Sequence, residues 1–347
     1  MGETLESAIL TGTQESSEKS TASSNDHQLE KEKSIEINGQ GHIYSVAFLD
    51  GKHIVSSGEE GKIRQWRVED GREVGTPMDT KKNVVGNIAV SRDGKWIVNG
   101  TESGWVMVWN TGNHERVTSV FKHGGRVRAM DISPDGTKVA TGSNDLTACI
   151  WSLLDGERLV GPLQHEYTLA AVQFSPDGRL IVTATWERDS VRIYNSQNGR
   201  LLFDIPIRVN SAYNQSLAWA SDSKRIFALS LYGNIKCLDA FTGTTLSQWT
   251  IPWAIHSGKY PTRIALATND TFVAASGNSL VSFWDITTHE QIGTVIKHAA
   301  DIMSVAISAN YDLAMGGGQT IALRSLCDIL PSSYFDEVRA SASKHIA

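Results

Sequence analysis

The chain has 347 residues, of which 40% are hydrophobic and 20% are charged, a composition typical of a globular protein with a large core. Its formal net charge of −6 argues against a dedicated nucleic-acid binder, because neutralising phosphates requires a concentrated basic surface. Lys81-Lys82, and Arg126 with Arg128, are too sparse to supply a basic stripe.

The cysteines and the apolar segments bear on the cellular compartment. Cys149, Cys237 and Cys327 form no C-x-x-C pair and are odd in number, so neither a disulfide framework nor a metal site is expected. No apolar run approaches the roughly 20 residues that span a bilayer, and the N-terminus does not resemble a signal peptide. We expect a soluble protein in the cytoplasm, with the nucleus as the alternative, and no membrane partner.

Residues 1–33 differ in composition from the rest of the chain. They are rich in Ser, Thr and Glu and carry seven acidic side chains against three lysines. Such a segment buries too little apolar surface to offset the entropy of ordering, so the sequence predicts a disordered acidic tail.

A single pattern recurs after the tail: an alternating strand, a tight turn, a strand of small residues, a polar turn, a third strand ending in an aromatic, and a fourth strand. The turns lie at Asp50-Gly51, Asp93-Gly94, Asp135-Gly136, Asp177-Gly178, Ser223-Lys224, Asp270-Thr271 and Asn310-Tyr311. Their spacing is 43, 42, 42, 46, 47 and 40 residues. Four short strands every 40 to 45 residues predict an all-β, seven-bladed β-propeller of antiparallel four-stranded blades.

The ends of the third strands carry a family resemblance. They fall at Trp66, Trp109, Trp151, Tyr194, Leu238, Trp284 and Arg324, and Trp284-Asp285 is the one Trp-Asp dipeptide among them. This pattern resembles the WD-repeat (WD-40 type) family. The family's Gly-His pair is matched by Gly41-His42, with His123, His165 and His298 at the same phase. The resemblance implies a structural hydrogen-bond tetrad of His123, Thr141, Asp145 and Trp151.

Two fourth-strand segments, residues 70–78 and 155–163, are similar to the propellers of fungal and bacterial NACHT-linked sensors. The nucleotide-binding half of those proteins is not matched, because the chain contains no G-x-x-x-x-G-K-[ST] loop. H-E-x-x-H and G-x-S-x-G are absent as well. We therefore expect no enzyme activity and no cofactor; a propeller hydrolase with acidic residues along the central channel is the remote alternative.

The ends of the repeat region indicate how the ring closes. Residues 330–333 contain a proline and predict a poor fourth strand for blade seven, since proline removes a ladder donor. Residues 34–37 precede blade one as the other fourth strands precede their next blades, so we predict that they complete blade seven. The propeller then covers residues 34–327, and residues 328–347 form a C-terminal extension with a short helix as one option.

Loops between blades and turns between second and third strands share one face, and aromatic residues there suggest a binding patch. We predict partner-binding residues over blades four to six at Trp186, Arg188, Tyr213, Tyr232, Trp253 and Tyr260. The alternative for each aromatic is that it covers its own backbone. Trp105 is expected in the core, and Trp96, Trp219 and Trp249 are expected in strands.

The functional expectation is a non-catalytic scaffold or sensor that binds proteins or peptides on one propeller face. An adaptor or substrate-recognition subunit of a larger complex, in ubiquitin ligation or chromatin regulation, is the alternative, because one fold serves both roles. No nucleic-acid partner is expected.

Overall fold

The structure is a computed structural model that describes residues 34–39, 41–81, 83–186, 190–207, 216–230, 233–251 and 263–335. These residues form seven four-stranded antiparallel sheets, as the repeat predicts. The chain begins the fold with β1 (Ser34–Asn38). The first blade then consists of β2 (Ile43–Phe48), β3 (His53–Gly58), β4 (Lys62–Arg67) and β5 (Glu73–Asp79).

Blades two to four follow in the same order. Blade two contains β6 (Val85–Val90), β7 (Trp96–Thr101), β8 (Trp105–Asn110) and β9 (Arg116–Lys122). Blade three contains β10 (Val127–Ile132), β11 (Lys138–Ser143), β12 (Thr147–Ser152) and β13 (Arg158–Gln164). Blade four contains β14 (Leu169–Phe174), β15 (Leu180–Thr185), β16 (Val191–Asn195) and β17 (Leu201–Ile205).

Three more blades complete the ring. Blade five contains β18 (Leu217–Trp219), β19 (Arg225–Leu229), β20 (Asn234–Asp239) and β21 (Thr245–Thr250). Blade six contains β22 (Arg263–Leu266), β23 (Phe272–Gly277), β24 (Leu280–Asp285) and β25 (Gln291–Lys297). Blade seven contains β26 (Ser304–Ile307), β27 (Asp312–Gly317) and β28 (Thr320–Ser325), with β1 as its fourth strand.

Small residues in the second strands allow neighbouring blades to pack closely. A Cβ added at Gly142 would lie 2.8 Å from Cβ of Leu169, and one at Gly316 would lie 2.7 Å from Cγ1 of Val46. Each glycine therefore faces the first strand of the next blade. A larger side chain would separate the blades, which explains why this strand is rich in small residues.

The N-terminal strand closes the ring, as the sequence predicts. β1 pairs antiparallel with β28, with Ile35 opposite Leu323 and Ile37 opposite Ile321. Ile37 is 3% exposed and belongs to a core cluster shared by blades seven and one. The first and last parts of the propeller are thus held in one sheet.

Two predicted hairpin turns are shifted by one residue from their predicted positions. In the turns between the first and second strands of blades five and six, the residues with positive φ are Ser223 (58°) and Asp270 (55°), so the turns are Asp222-Ser223 and Asn269-Asp270. Their N–H groups bond back to Ala220 and Ala267, as Gly136 bonds to Ser133 in blade three. The error arose because neither turn contains the glycine that usually marks a left-handed residue.

The C-terminal extension begins with two 3-10 helices, Leu326–Asp328 and Ser332–Tyr334. The Tyr334 hydroxyl donates to Asp285 Oδ2 at 2.8 Å, and the ring of buried Phe335 lies 4.8 Å from that of Tyr311. Residues up to 335 therefore pack against blades six and seven. In the part of the chain that the structure describes, no helix has the length and hydropathy needed to cross a bilayer.

Candidate functional site

Strand direction alternates within each blade, so the connections fall on two faces. The upper face carries the loops from each fourth strand to the next blade and the turns from second to third strands. The lower face carries the remaining turns. Of the six predicted partner-binding residues, the structure describes Trp186 alone; Arg188, Tyr213, Tyr232, Trp253 and Tyr260 lie outside the described residues.

Trp186 directly follows β15 and is 39% exposed on the upper face. The guanidinium carbon of Arg128, from the first strand of blade three, lies 4.6 Å from the centroid of its ring. Arg128 Nε also donates to Asn144 Oδ1 at 2.5 Å, and the backbone N–H of Trp186 donates to the backbone carbonyl of Thr168 at 2.9 Å. The pair is therefore held from both sides and joins blade three to blade four, with part of the indole open to solvent.

Trp105 was predicted to be a core residue, and that prediction is wrong. It begins β8 on the upper face and is 37% exposed, with Lys122 Nζ 4.6 Å from its ring centroid. A strand residue is buried only where a neighbouring blade covers it. Trp105, at the first position of β8, lies beyond that cover, whereas the next four residues of the strand are buried. Trp96, Trp219 and Trp249 lie in strands, as expected.

The four side chains of the predicted tetrad lie in one hydrogen-bonded chain. Trp151 Nε1 donates to Thr141 Oγ1 at 2.7 Å, and Thr141 Oγ1 lies 2.7 Å from His123 Nε2. His123 Nδ1 lies 3.0 Å from Asp145 Oδ2. A neutral histidine with its proton on Nδ1 fits every partner, because it accepts from the threonine hydroxyl and donates to the carboxylate.

Electrostatics favour that protonation state. Burial lowers the pKa of His123, although Asp145 opposes the shift. Burial also disfavours the Asp145 carboxylate, but hydrogen bonds from Thr147 and from Gly124 N–H, together with His123, lower its pKa. Each of the four side chains therefore has a hydrogen-bond partner within the set. The set resembles a catalytic triad in composition, yet it contains no free nucleophile.

Related bonds recur in other blades with different residues. The indole N–H groups of Trp66 and Trp109 donate to Ser56 Oγ and Asn99 Oδ1, each ten residues earlier. In blade four, His165 Nε2 lies 2.9 Å from Thr183 Oγ1. Burial lowers the pKa of His165 to about 4, which keeps it neutral.

The Gly41-His42 pair does not occupy the position of His123. The backbone N–H of His123 donates to Gly104 in the preceding second-to-third turn, and the residue that makes the matching bond before blade one is Gly39, to Gln319. His42 lies three residues later, directly before β2. The dipeptide alone was misleading, because His42 lies one residue before its first strand whereas His123 lies four residues before β10.

The first strands line the central channel and bond across neighbouring blades, which the sequence analysis missed. The pairs are Ser45 Oγ to Asn87 Oδ1, Asn87 Nδ2 to Arg128 O, Phe174 N to Asp131 Oδ2, Gln173 Nε2 to Leu217 O, Arg263 Nε to Met303 O, and Val46 N to Ser304 Oγ. Polar residues at a fixed place in otherwise apolar first strands are the signal that could have identified these links.

Acidic residues are sparse at the channel. Among the seven first strands as described, Asp131 is the one carboxylate, and burial raises its pKa to about 7. Across the described ranges, no three His, Cys, Asp or Glu side chains group as a metal site would require. On the upper face, Arg126 pairs with Glu102 at 2.8 Å and Arg128 covers Trp186, so these two basic residues are engaged within the protein.

The model of the WD domain, G-beta repeat, matches residues 33–67 and 114–152. The chain is a WD-repeat β-propeller. Its fold is also similar to the crystal structure of the WD40 β-propeller domain of Doa1, with a TM-score of 0.64 over 82% of this chain and 93% of that one. Sequence identity to that domain is 18%, so this likeness concerns the fold alone.

A sequence match of limited length accompanies the fold. The chain is 28% identical over 90 residues, 25% of its length, to the nuclear distribution protein nudF of Emericella nidulans. The matched segment spans 20% of the length of that relative. The WD-repeat fold serves protein interaction in general terms. The similarity of the fourth-strand segments to NACHT-linked sensors is not tested by these matches and stays a prediction.

Proposed function

We propose that this WD-repeat propeller is a non-catalytic scaffold or sensor that binds a peptide or a protein loop on its upper face. The observation that carries the proposal is Trp186, a large aromatic held beneath Arg128 at the boundary of two blades and left partly open. A side chain that is already ordered loses little conformational entropy when a partner covers it, so burying it favours binding.

The non-catalytic part of the proposal rests on the state of the polar groups. In the set that resembles a triad, His123 and Thr141 are buried and hydrogen-bonded within the blade, and Asp131 is the one carboxylate of the described first strands. A glycoside hydrolase of the usual retaining or inverting type requires a pair of carboxyl groups. Assays with glycosidic and ester substrates should show no turnover above that of a heat-denatured sample.

The test of the binding surface is affinity capture from the source cells with mass spectrometry. The double variant Trp186→Ala and Trp253→Ala should lose at least part of the set captured by the wild type. Leu154→Ala, which removes an exposed apolar side chain from the lower face, is the matched control and should retain that set. If the double variant captures every partner that the wild type captures, the patch assignment is wrong.

A stable subunit of a larger complex, in ubiquitin ligation or chromatin regulation, is the second proposal for the same surface. The two proposals differ in stoichiometry. A scaffold or sensor with exchanging partners elutes mostly as free protein when cell extract is fractionated by size, whereas an adaptor subunit co-elutes with fixed partners. A fluorescent fusion would show in the same cells whether the protein is cytoplasmic, as we propose, or nuclear.

A further inference from the structure

The outermost strand of each blade leaves one side of its backbone without a neighbouring strand. Proteins protect such edges with charged residues, proline or glycine, because a bare edge can pair with another chain. Six of the seven outermost strands carry such residues: Glu36 in β1, Gly75 and Pro77 in β5, Arg116 and Lys122 in β9, Gly161 and Pro162 in β13, Asp204 in β17, and Gly293 and Lys297 in β25.

β21 of blade five is the exception. Its sequence, Thr-Leu-Ser-Gln-Trp-Thr, contains no charged residue, no proline and no glycine. Within the described residues, its backbone pairs with β20 on the inner side, from Asn234 opposite Thr250 to Leu238 opposite Thr245. The far end is fixed, because the ring of Trp249 stacks on His289 of blade six with centroids 4.4 Å apart.

Exposed apolar side chains adjoin this edge. Leu246 is the extra residue of a β-bulge in β21 and is 53% exposed, and Phe241 in the preceding turn is also exposed. The bulge lies at the start of the strand, so Ser247 to Thr250 continue in regular register with β20. Blade four has an equivalent bulge residue, Leu202, but its strand carries Asp204.

We propose that β21 is a dimerisation edge, at which two copies of this chain pair their β21 strands antiparallel about a two-fold axis. In an antiparallel pair about a two-fold axis, residue i faces residue j and j faces i, so a strand without charges opposes no like charges in any register. β21 is the one outermost strand in the described structure that has no charged residue. Leu246 and Phe241 of each copy then lose contact with water beside the paired strands.

The expected contact is small. Stable complexes bury roughly 1,600 Å² in total, and two six-residue strands with two exposed apolar side chains per copy provide less than that. The dimer is therefore weak and depends on protein concentration. This inference is independent of the upper-face proposal, because β21 lies on the outer rim.

The test is analytical ultracentrifugation of the purified full chain up to about 0.5 mM, a range suited to a weak association. The wild type should shift from monomer to dimer. Leu246→Lys should raise the dissociation constant at least about tenfold, because each copy loses the apolar burial of this side chain beside the paired strands. Leu202→Lys, at the equivalent bulge of blade four, is the control and should change it less than about twofold.

A charge exchange at exposed Gln248 tests the pairing directly, since this residue lies near the middle of the strand. Gln248→Lys and Gln248→Glu should each be monomeric alone, and an equimolar mixture should form the dimer again. Circular dichroism should show that every variant is folded. A wild type that stays monomeric throughout, a Leu246→Lys variant no weaker than Leu202→Lys, or a mixture that does not associate would each overturn the proposal.

Discussion

The closure of the ring by β1 yields a quantitative prediction for Ile37. This side chain is 3% exposed and packs with Ile321, Leu323 and Trp66 across the boundary of blades seven and one. Replacing a buried isoleucine by alanine costs about 2–5 kcal/mol, so Ile37→Ala should lower the free energy of unfolding by about 3 kcal/mol. With an unfolding entropy of about 2.1 cal/mol/K per residue over roughly 300 residues, the melting temperature should fall by about 5 °C.

The control lies next to it in the same strand. The Glu36 side chain is largely exposed, and its contact with Arg324 is loose at 3.8 Å, so Glu36→Ala should change stability by less than about 0.5 kcal/mol. Urea unfolding followed by tryptophan fluorescence, with calorimetry, measures both variants. Deleting residues 34–39 should destabilise the whole ring, whereas deleting residues 1–30 should leave the melting temperature nearly unchanged. Equal effects of Ile37→Ala and Glu36→Ala would refute the closure model.

Three further predictions concern other parts of the propeller. Burial raises the pKa of Asp131 to about 7, so the folded protein keeps a proton that the unfolded chain releases near pH 4; the resulting stability is complete below pH 4 and is lost as the pH rises through 7. Relative to Asp131→Asn, the wild type should lose about 2–3 kcal/mol between pH 5 and 8 in urea unfolding, and parallel pH profiles would contradict this. Phe335→Ala should cost about 3–5 kcal/mol by thermal denaturation, because this ring is buried against Tyr311, and a cost below about 1 kcal/mol would show that the C-terminal segment is not part of the core. Burial raises the thiol pKa of Cys149 and Cys237 to about 11, so a thiol reagent at pH 8 should modify the partly exposed Cys327 first; equal labelling rates would argue against the described burial.

The architecture was predictable from the sequence because each blade repeats a physical requirement. Strands of period two, small second-strand residues and Asp-Gly turns recur at an almost constant interval, and one short strand lies before blade one. These signals are local, so they survive in blades whose motif has diverged. The seven blades and the closure by residues 34–37 were both predicted in this way and are confirmed, with the closing strand extending to Asn38.

The errors and omissions have two causes: the deciding contact lies in another part of the fold, or a turn lacks its usual glycine. The exposure of Trp105 depends on how far the adjacent blade extends, and the packing of Phe335 depends on a space between blades six and seven. Positive φ at Ser223 has no glycine to signal it. For the binding patch, the sequence indicated Trp186, but its pairing with Arg128 joins residues 58 positions apart and could not be derived from a repeat.

The bonds between blades explain how the repeat can diverge without loss of the fold. Within the described residues, the complete His-Thr-Asp-Trp tetrad occurs in blade three, and other blades show parts of it. Bonds such as those of Asn87 and Arg263 connect first strands of neighbouring blades and do not involve the tetrad positions. Since a closed ring stabilises each blade through two neighbours, a blade that loses its internal tetrad is still held in place. The upper-face residues of such blades are then free to vary, which is the condition under which a binding surface specific to this protein can arise.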